Sequence, residues 1–278
     1  MAAIMGSIQR MGRAAADAIS RESWLVRTLR PAYVSALQLV SGGRGISWDI
    51  NGVSYRIDPH YRAYLAHDYD APVARFLSQR IQPGAVCFDI GANVGVYVLQ
   101  FAHWTGSFGK VVAFEPNPAA LEVLSRHVHM NQIDDRVTIE RAAVGAAPGT
   151  ATLYRSGTDG MSRLAEPNKL LLGRAEPIDV LVTTVDAFCA RTGLTPDWLL
   201  MDIEGFEFAA LFGAKRTLER LRKKIGLVVE MHPDVWNSAG MCRADVERFL
   251  SEMGLRAIPL LGQKDPLDKH GLVQLAWV

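Results

Sequence analysis

Short, nearly continuous apolar runs recur from about residue 80 onward, at Val86–Ile90, Val111–Phe114, Trp198–Ile203 and Gly226–Met231. Runs of that length without alternation fit strands covered on both faces. Helical patterns fall between and after them, near 94–104, 118–130, 204–223 and 243–253, with further strands near 136–143, 150–154, 255–260 and 272–278. Asn117-Pro118 opens the second helix with a capping side chain and a first-turn proline. Strands alternating with helices predict a doubly wound, mostly parallel sheet.

The first eighty residues follow another rhythm. Up to about residue 45 the pattern is helical, with breaks expected at Arg30-Pro31 and Gly42-Gly43. Ser47–Ile57 alternates apolar and polar positions around Asn51-Gly52, a strong hairpin signal. A helix over 70–80 stops before Pro83-Gly84. The expected organisation is an N-terminal helical and β-hairpin extension, 1–80, acting as a cap or substrate-side element, and a cofactor-binding domain, 81–278. From Arg155 to Pro177 turn-forming residues prevail, which predicts a mobile connection of the kind that often serves as a binding loop.

Composition narrows the function classes. The 278 residues are 49% hydrophobic, enough for a substantial core. Thirty basic against 29 acidic side chains leave a formal charge of +1, so no nucleic-acid partner is expected. Cys87, Cys189 and Cys242 are too few and too scattered for a disulfide framework, which fits a reducing cytoplasm. No apolar run approaches the roughly 18 residues of a membrane span, and no secretory leader is evident. Residues 1–45 hold six arginines against Asp17 and Glu22. That segment reads either as a peripheral membrane-surface helix or, preferably, as a helical cap. Oligomeric state is open, a homodimer included.

The most informative stretch is Val86-Cys-Phe-Asp-Ile-Gly-Ala-Asn-Val-Gly-Val-Tyr97, answered by Val111-Val-Ala-Phe-Glu-Pro-Asn117. It reads as strand, glycine turn, helix start and a second strand ending in an acid, the first half of a nucleotide-type fold. The dinucleotide fingerprint wants glycine at turn positions one, three and six. Here those positions are Gly91, Asn93 and Val96. Asp89 at the strand end suits a cationic amino-acid ligand better than a diphosphate, and Glu115 stands near the spacing of a ribose-binding acid. The cofactor predicted is S-adenosylmethionine.

Together, Phe88–Gly95, Ala113–Asn117, Arg141-Ala-Ala-Val-Gly145, Thr184-Val-Asp186, Met201-Asp-Ile-Glu-Gly205 and Val229-Glu-Met-His-Pro233 resemble the FkbM-type S-adenosylmethionine-dependent methyltransferases. The pieces arrive in the family's order over roughly 69–235. The resemblance implies a Rossmann-like sheet of seven strands with an antiparallel strand in its last pair. It also implies O-methylation of a hydroxyl on a secondary metabolite, sugar or glycan. Two positions depart from the pattern: Leu200 where lysine is usual, and Tyr69-Asp70 where Tyr-Glu is usual.

In such sheets ligands sit beyond the carboxyl ends of the strands, where strand order reverses. The candidate cofactor residues are Tyr69, Asp89, Gly91, Asn93, Gly95, Glu115, Pro116, Asn117, Ala142, Ala143 and Asp202. Ser162, which matches a small-residue stretch of the family, is the candidate substrate contact. Asp202 and Glu204 lie two apart at one strand end, and Glu230 and His232 repeat that spacing at the next. These four are the candidate catalytic cluster. One reading gives the acceptor's proton to a carboxylate or to His232, whose ordinary pKa near 6.5 suits the task. A second has them hold Mg²⁺, although no metal site is predicted. A third makes Glu230 a helix cap and His232 the start of a turn. The rival functions are a nicotinamide-dependent oxidoreductase and a non-catalytic cofactor-binding regulatory module.

Overall fold

A computed structural model describes residues 24–62, 64–155, 162–164 and 175–278. The chain divides into two compact units, Met1–Tyr69 and Asp70–Val278. In the first, helix α1 (Trp24–Ser41) precedes strands β1 (Ile46–Ile50) and β2 (Val53–Ile57). Arg30-Pro31 does not end the helix, contrary to expectation. The chain gives up one backbone hydrogen bond at Pro31 and continues to Ser41. The hairpin forms as its turn residues require: Asn51 and Gly52 both take positive φ, 51° and 82°, and Ile46 pairs with Ile57. Trp48 Nε1 donates to the Leu65 carbonyl and Asn51 Nδ2 to that of Tyr69, at 2.6 and 2.7 Å.

The second unit begins with helix α2 (Ala71–Ser78), where Phe76 meets Trp198 edge-on. That packing places the helix with the domain rather than with the preceding segment. There follow β3 (Val86–Ile90), α3 (Val96–Thr105), β4 (Lys110–Phe114), α4 (Pro118–Met130), β5 (Val137–Glu140), β6 (Ala143–Val144), β7 (Gly149–Arg155), β8 (Arg163–Leu164) and β9 (Glu176–Thr183). The remainder is α5 (Val185–Thr192), β10 (Trp198–Met201), α6 (Glu207–Phe212), α7 (Lys215–Leu221), β11 (Gly226–Met231), α8 (Arg243–Met253), β12 (Leu255–Pro259) and β13 (Gly271–Trp277).

Seven strands form one sheet in the order β12-β13-β11-β10-β3-β4-β5. Every pairing from β11 to β5 is parallel, while β13 runs antiparallel to both β11 and β12. The continuous apolar runs have their reason here: nearly every position of β3, β4, β10 and β11 is buried. Phe88, Phe114 and Phe188 meet tilted or edge-on at the centre of this core.

Strands β6, β9, β7 and β8 form a second sheet that the sequence pattern did not reveal. Its small core of Ala143, Leu153 and Val180 is flanked by Leu164, Ile178 and Val182. The expected mobile connection over 155–177 is thus interrupted by β8, and its remaining stretches, 156–161 and 165–174, lie outside the described residues. The expected strand over 136–143 splits, β5 joining the large sheet and β6 the small one. The expected helix over 204–223 breaks at Gly213, where a Cβ would lie 2.0 Å from the Gly145 carbonyl oxygen.

Candidate functional site

The order of strands reverses between β3 and β10, and the two βα turns that follow them meet there. Gly91 has φ +88°, and a Cβ on it would stand 1.9 Å from the Asp202 carbonyl oxygen. Its N–H and that of Ala92 donate to the Phe114 carbonyl, which ties the turn to the end of β4. Asn93, also at positive φ, donates its N–H to Glu115 Oε2 at 2.8 Å, and Asn117 N–H reaches Glu115 Oε1 at 2.7 Å. The Glu115 carboxylate is braced by two backbone donors, with further lone-pair positions left for a ligand. Burial nevertheless lifts it to about 7, against those two hydrogen bonds.

These residues line a cleft with Ile90, Phe114, Leu153 and Leu164 as its apolar wall. Of the candidate cofactor positions, Gly91, Asn93, Glu115, Pro116, Asn117, Ala142, Ala143 and Asp202 all line it, as does Ser162. Asn117 Nδ2 donates to Ser162 Oγ at 3.3 Å while its Oδ1 caps α4 by accepting from Ala119 N–H. Two positions have other duties. Gly95 is small because a Cβ would stand 2.6 Å from Leu124 Cδ1, so it serves helix packing. Asp89 lies beneath the cleft and accepts from Val98 N–H in α3; burial and the nearby Glu115 raise it to about 8. Its Oδ2 is buried with no hydrogen-bond partner among the described residues. Tyr69 closes the other compact unit.

The cleft fits the cofactor its motifs suggest. It offers a buried carboxylate for hydroxyl groups, an apolar wall for a flat base, and acids for a cationic amino-acid end.

Beyond it lies the acidic cluster. Asp202 and Glu204 line the cleft, Glu204 at positive φ followed by Gly205. His232 Nδ1 lies 2.8 Å from Glu207 Oε1, and its Nε2 lies 3.9 Å from Asp202 Oδ1. Glu207 is fully buried, and its Oε1 also accepts from Gly205 N–H at 2.8 Å. Burial pulls the His232 pKa down, but the bond to Glu207 and the surrounding carboxylates outweigh it, so the net shift is upward. Partial burial, Glu230 and the other acids raise Asp202 above the ordinary carboxylate range, although its side chain stays 40% exposed to the cleft.

The four predicted catalytic residues do converge, and the structure adds others. Glu207 orients His232, Arg163 Nη2 pairs with Glu204 Oε2 at 3.2 Å, and His270 Nε2 sits 2.9 Å from Glu230 Oε1. Asp70, which takes a hydrogen bond from Tyr97 Oη, is raised by burial and by Glu230. Two of these had a signal in the sequence: Glu207 as an acid opening a helix three residues past Glu204, and Asp70 in the Tyr69-Asp70 pair that stands where the family has Tyr-Glu. Glu230 lies within β11 beside His270 and caps no helix.

Comparison with known proteins agrees with the motifs. The family model described as Methyltransferase FkbM domain matches residues 89–257, more than half of the chain. A 99-residue stretch is 32% identical to 31-O-demethyl-FK506 methyltransferase FkbM of Streptomyces tacrolimicus, covering 35% of this chain and 33% of that protein. A 70-residue stretch is 31% identical to the ribosomal protein L11 methyltransferase of Chloroflexus aurantiacus, covering 25% and 21%. The matched stretches thus span a third or less of the length of these curated relatives. Among solved structures, a methyltransferase FkbM from Methylobacillus flagellatus KT aligns over 78% of this chain and 52% of its own, at 15% identity and a TM-score of 0.44.

Proposed function

Since this chain belongs to the FkbM methyltransferase family, whose cofactor is S-adenosylmethionine, we propose that it methylates a hydroxyl group on a small molecule, a secondary metabolite or glycan. The observation that carries this reading is the junction of two arrangements at one strand-end cleft. A braced ribose-type acid, Glu115, stands on one side; on the other stand Asp202 and Glu204, with His232 and Glu230 next to Asp202, a cluster able to receive a proton. Bound S-adenosylmethionine would supply a methyl group made electrophilic by the adjoining sulfonium.

The rest falls to the chain. Glu115 would accept from the ribose hydroxyls in charge-assisted bonds, with Gly91 and Asn93 holding the turn open. Ala142, Ala143 and Phe114 would flank the base. Asp202, closest to the reversal point, would face the cationic end. An acceptor hydroxyl must lose its proton as its oxygen is methylated. Glu207 fixes the His232 ring so that Nε2 turns toward Asp202, and the carboxylate–histidine cluster would take that proton. Positioning of the two reactants should supply much of the acceleration. An oxygen acceptor is supported by the name of the Streptomyces tacrolimicus relative, which refers to a 31-O-demethyl compound. Neither rival reading draws support, since the matched relatives are methyltransferases.

The test is incubation of the purified chain with methyl-labelled cofactor and panels of hydroxylated, amine and thiol acceptors. Label in a base-stable ether, reduced at least a hundredfold by His232→Ala or Asp202→Asn, is expected. Transfer confined to nitrogen or sulfur would overturn the oxygen assignment.

A further inference from the structure

We propose that Glu230, His232 and His270 form a binding site for a divalent transition-metal ion beside the cofactor cleft. Their ligand atoms lie within 4.8 Å of one another, and His270 Nε2 is already 2.9 Å from Glu230 Oε1. The two imidazole rings face each other with centroids 4.5 Å apart and planes 39° apart. Two imidazoles bound at about 2.1 Å would place their ring centres roughly 4.6 Å apart at the right angle of neighbouring octahedral positions and about 5.3 Å apart at the tetrahedral angle. The rings stand close to the separation of neighbouring octahedral positions, and the ligand atoms, now within 4.8 Å of one another, would draw together around a shared ion.

The surroundings of His232 point the same way independently. Its Nδ1 is engaged by fully buried Glu207 at 2.8 Å, and Glu207 is itself fixed by the Gly205 N–H. A carboxylate behind a histidine is the arrangement that orients metal-binding imidazoles and leaves Nε2 free to coordinate. Charge adds a third argument. Asp202, Glu204 and Glu207 crowd around these ligands, and Arg163 answers Glu204. A divalent ion would relieve that excess of negative charge.

The donor set decides the metal class. Two imidazoles and one carboxylate favour zinc, manganese or iron over Mg²⁺, which prefers oxygen donors and ideal octahedral geometry. Three protein ligands leave coordination positions open, and Glu230 and His270 reach partly into solvent. One consequence rests on the proposed methyl transfer: an acceptor hydroxyl on the ion would ionise more readily, its O–H proton passing to Asp202 and its electron pair staying on oxygen. Binding of the ion does not rest on that reading.

The test uses the tag-free full chain, stripped with chelator and titrated calorimetrically with Zn²⁺ and with Mn²⁺ alone. Binding of one ion per chain is expected. Affinity should fall at least tenfold in His270→Ala and in Glu230→Gln. S-adenosylhomocysteine is titrated into the same samples as a separate readout. Its binding in His270→Ala shows that the fold and cofactor cleft survive, whatever the metal does. Absence of saturable binding by either ion, or binding that His270→Ala and Glu230→Gln leave unchanged, would overturn the proposal. Failure of cofactor binding with metal binding intact would count against the methyltransfer reading alone.

Discussion

Gly91 has the least freedom of any residue at the cleft. A methyl group there would collide with the Asp202 backbone, which cannot yield without moving β10, and φ +88° is already costly for any other residue. Gly91→Ala should destabilise the protein by about 3 kcal/mol or more in urea unfolding and abolish cofactor binding. The buried acids give a second test at this scale. Asp89 is raised to about 8 and Glu115 to about 7. A raised carboxyl stabilises the fold fully below its unfolded value, about 4, and that contribution drains away as pH rises through the folded value. His232 shifts upward as well and so acts with the same sign. The melting temperature of the ligand-free protein should therefore fall from pH 5.5 to 8.5, and Asp89→Asn should flatten the fall. A profile that rises over that range would contradict the assignment.

Elements differ in how plainly the sequence announces them. Strands β3, β4, β10 and β11 were legible because burial on both faces leaves an unbroken apolar run, and α4 because Asn117-Pro118 marks its start. The small sheet was hidden for the opposite reason. Strands β6 and β8 are two residues each, and β9 alternates half-exposed positions behind Pro177, with partners far away in the chain. The site divides along the same line. Glu115, Asp202, Glu204 and His232 sit at strand ends with readable spacing. Arg163 and His270 do not, since each finds its acid partner some 40 residues away, and no sequence pattern marks Glu207 as fully buried. The small sheet has a consequence of its own, because Leu153 of β7 belongs both to its core and to the cleft wall. Leu153→Ala should cost about 2–5 kcal/mol and weaken cofactor binding, whereas the equally buried Leu255 of β12, remote from the cleft lining, should cost stability alone. Equal losses of affinity in the two variants, measured calorimetrically, would deny β7 its place at the site.

At the scale of the whole molecule, the reversal of strand order between β3 and β10 brings every chemically informative turn to one end of the large sheet. Among the described residues no helix is long and apolar enough to cross a membrane. The acids gathered at that end should prefer a cation, so S-adenosylmethionine, with its sulfonium, should gain affinity over S-adenosylhomocysteine as pH rises from 6 to 8.5. A ratio independent of pH would remove the electrostatic part of the account. Its central claim is that Glu115 and the Gly91 turn hold this cofactor. The most direct test is calorimetric titration of the purified chain with S-adenosylhomocysteine, beside Glu115→Ala and with NADH as control. Saturable binding that weakens at least tenfold in the variant, with none for NADH, is the predicted result; no binding by well-folded protein, or binding of NADH in its place, would contradict it.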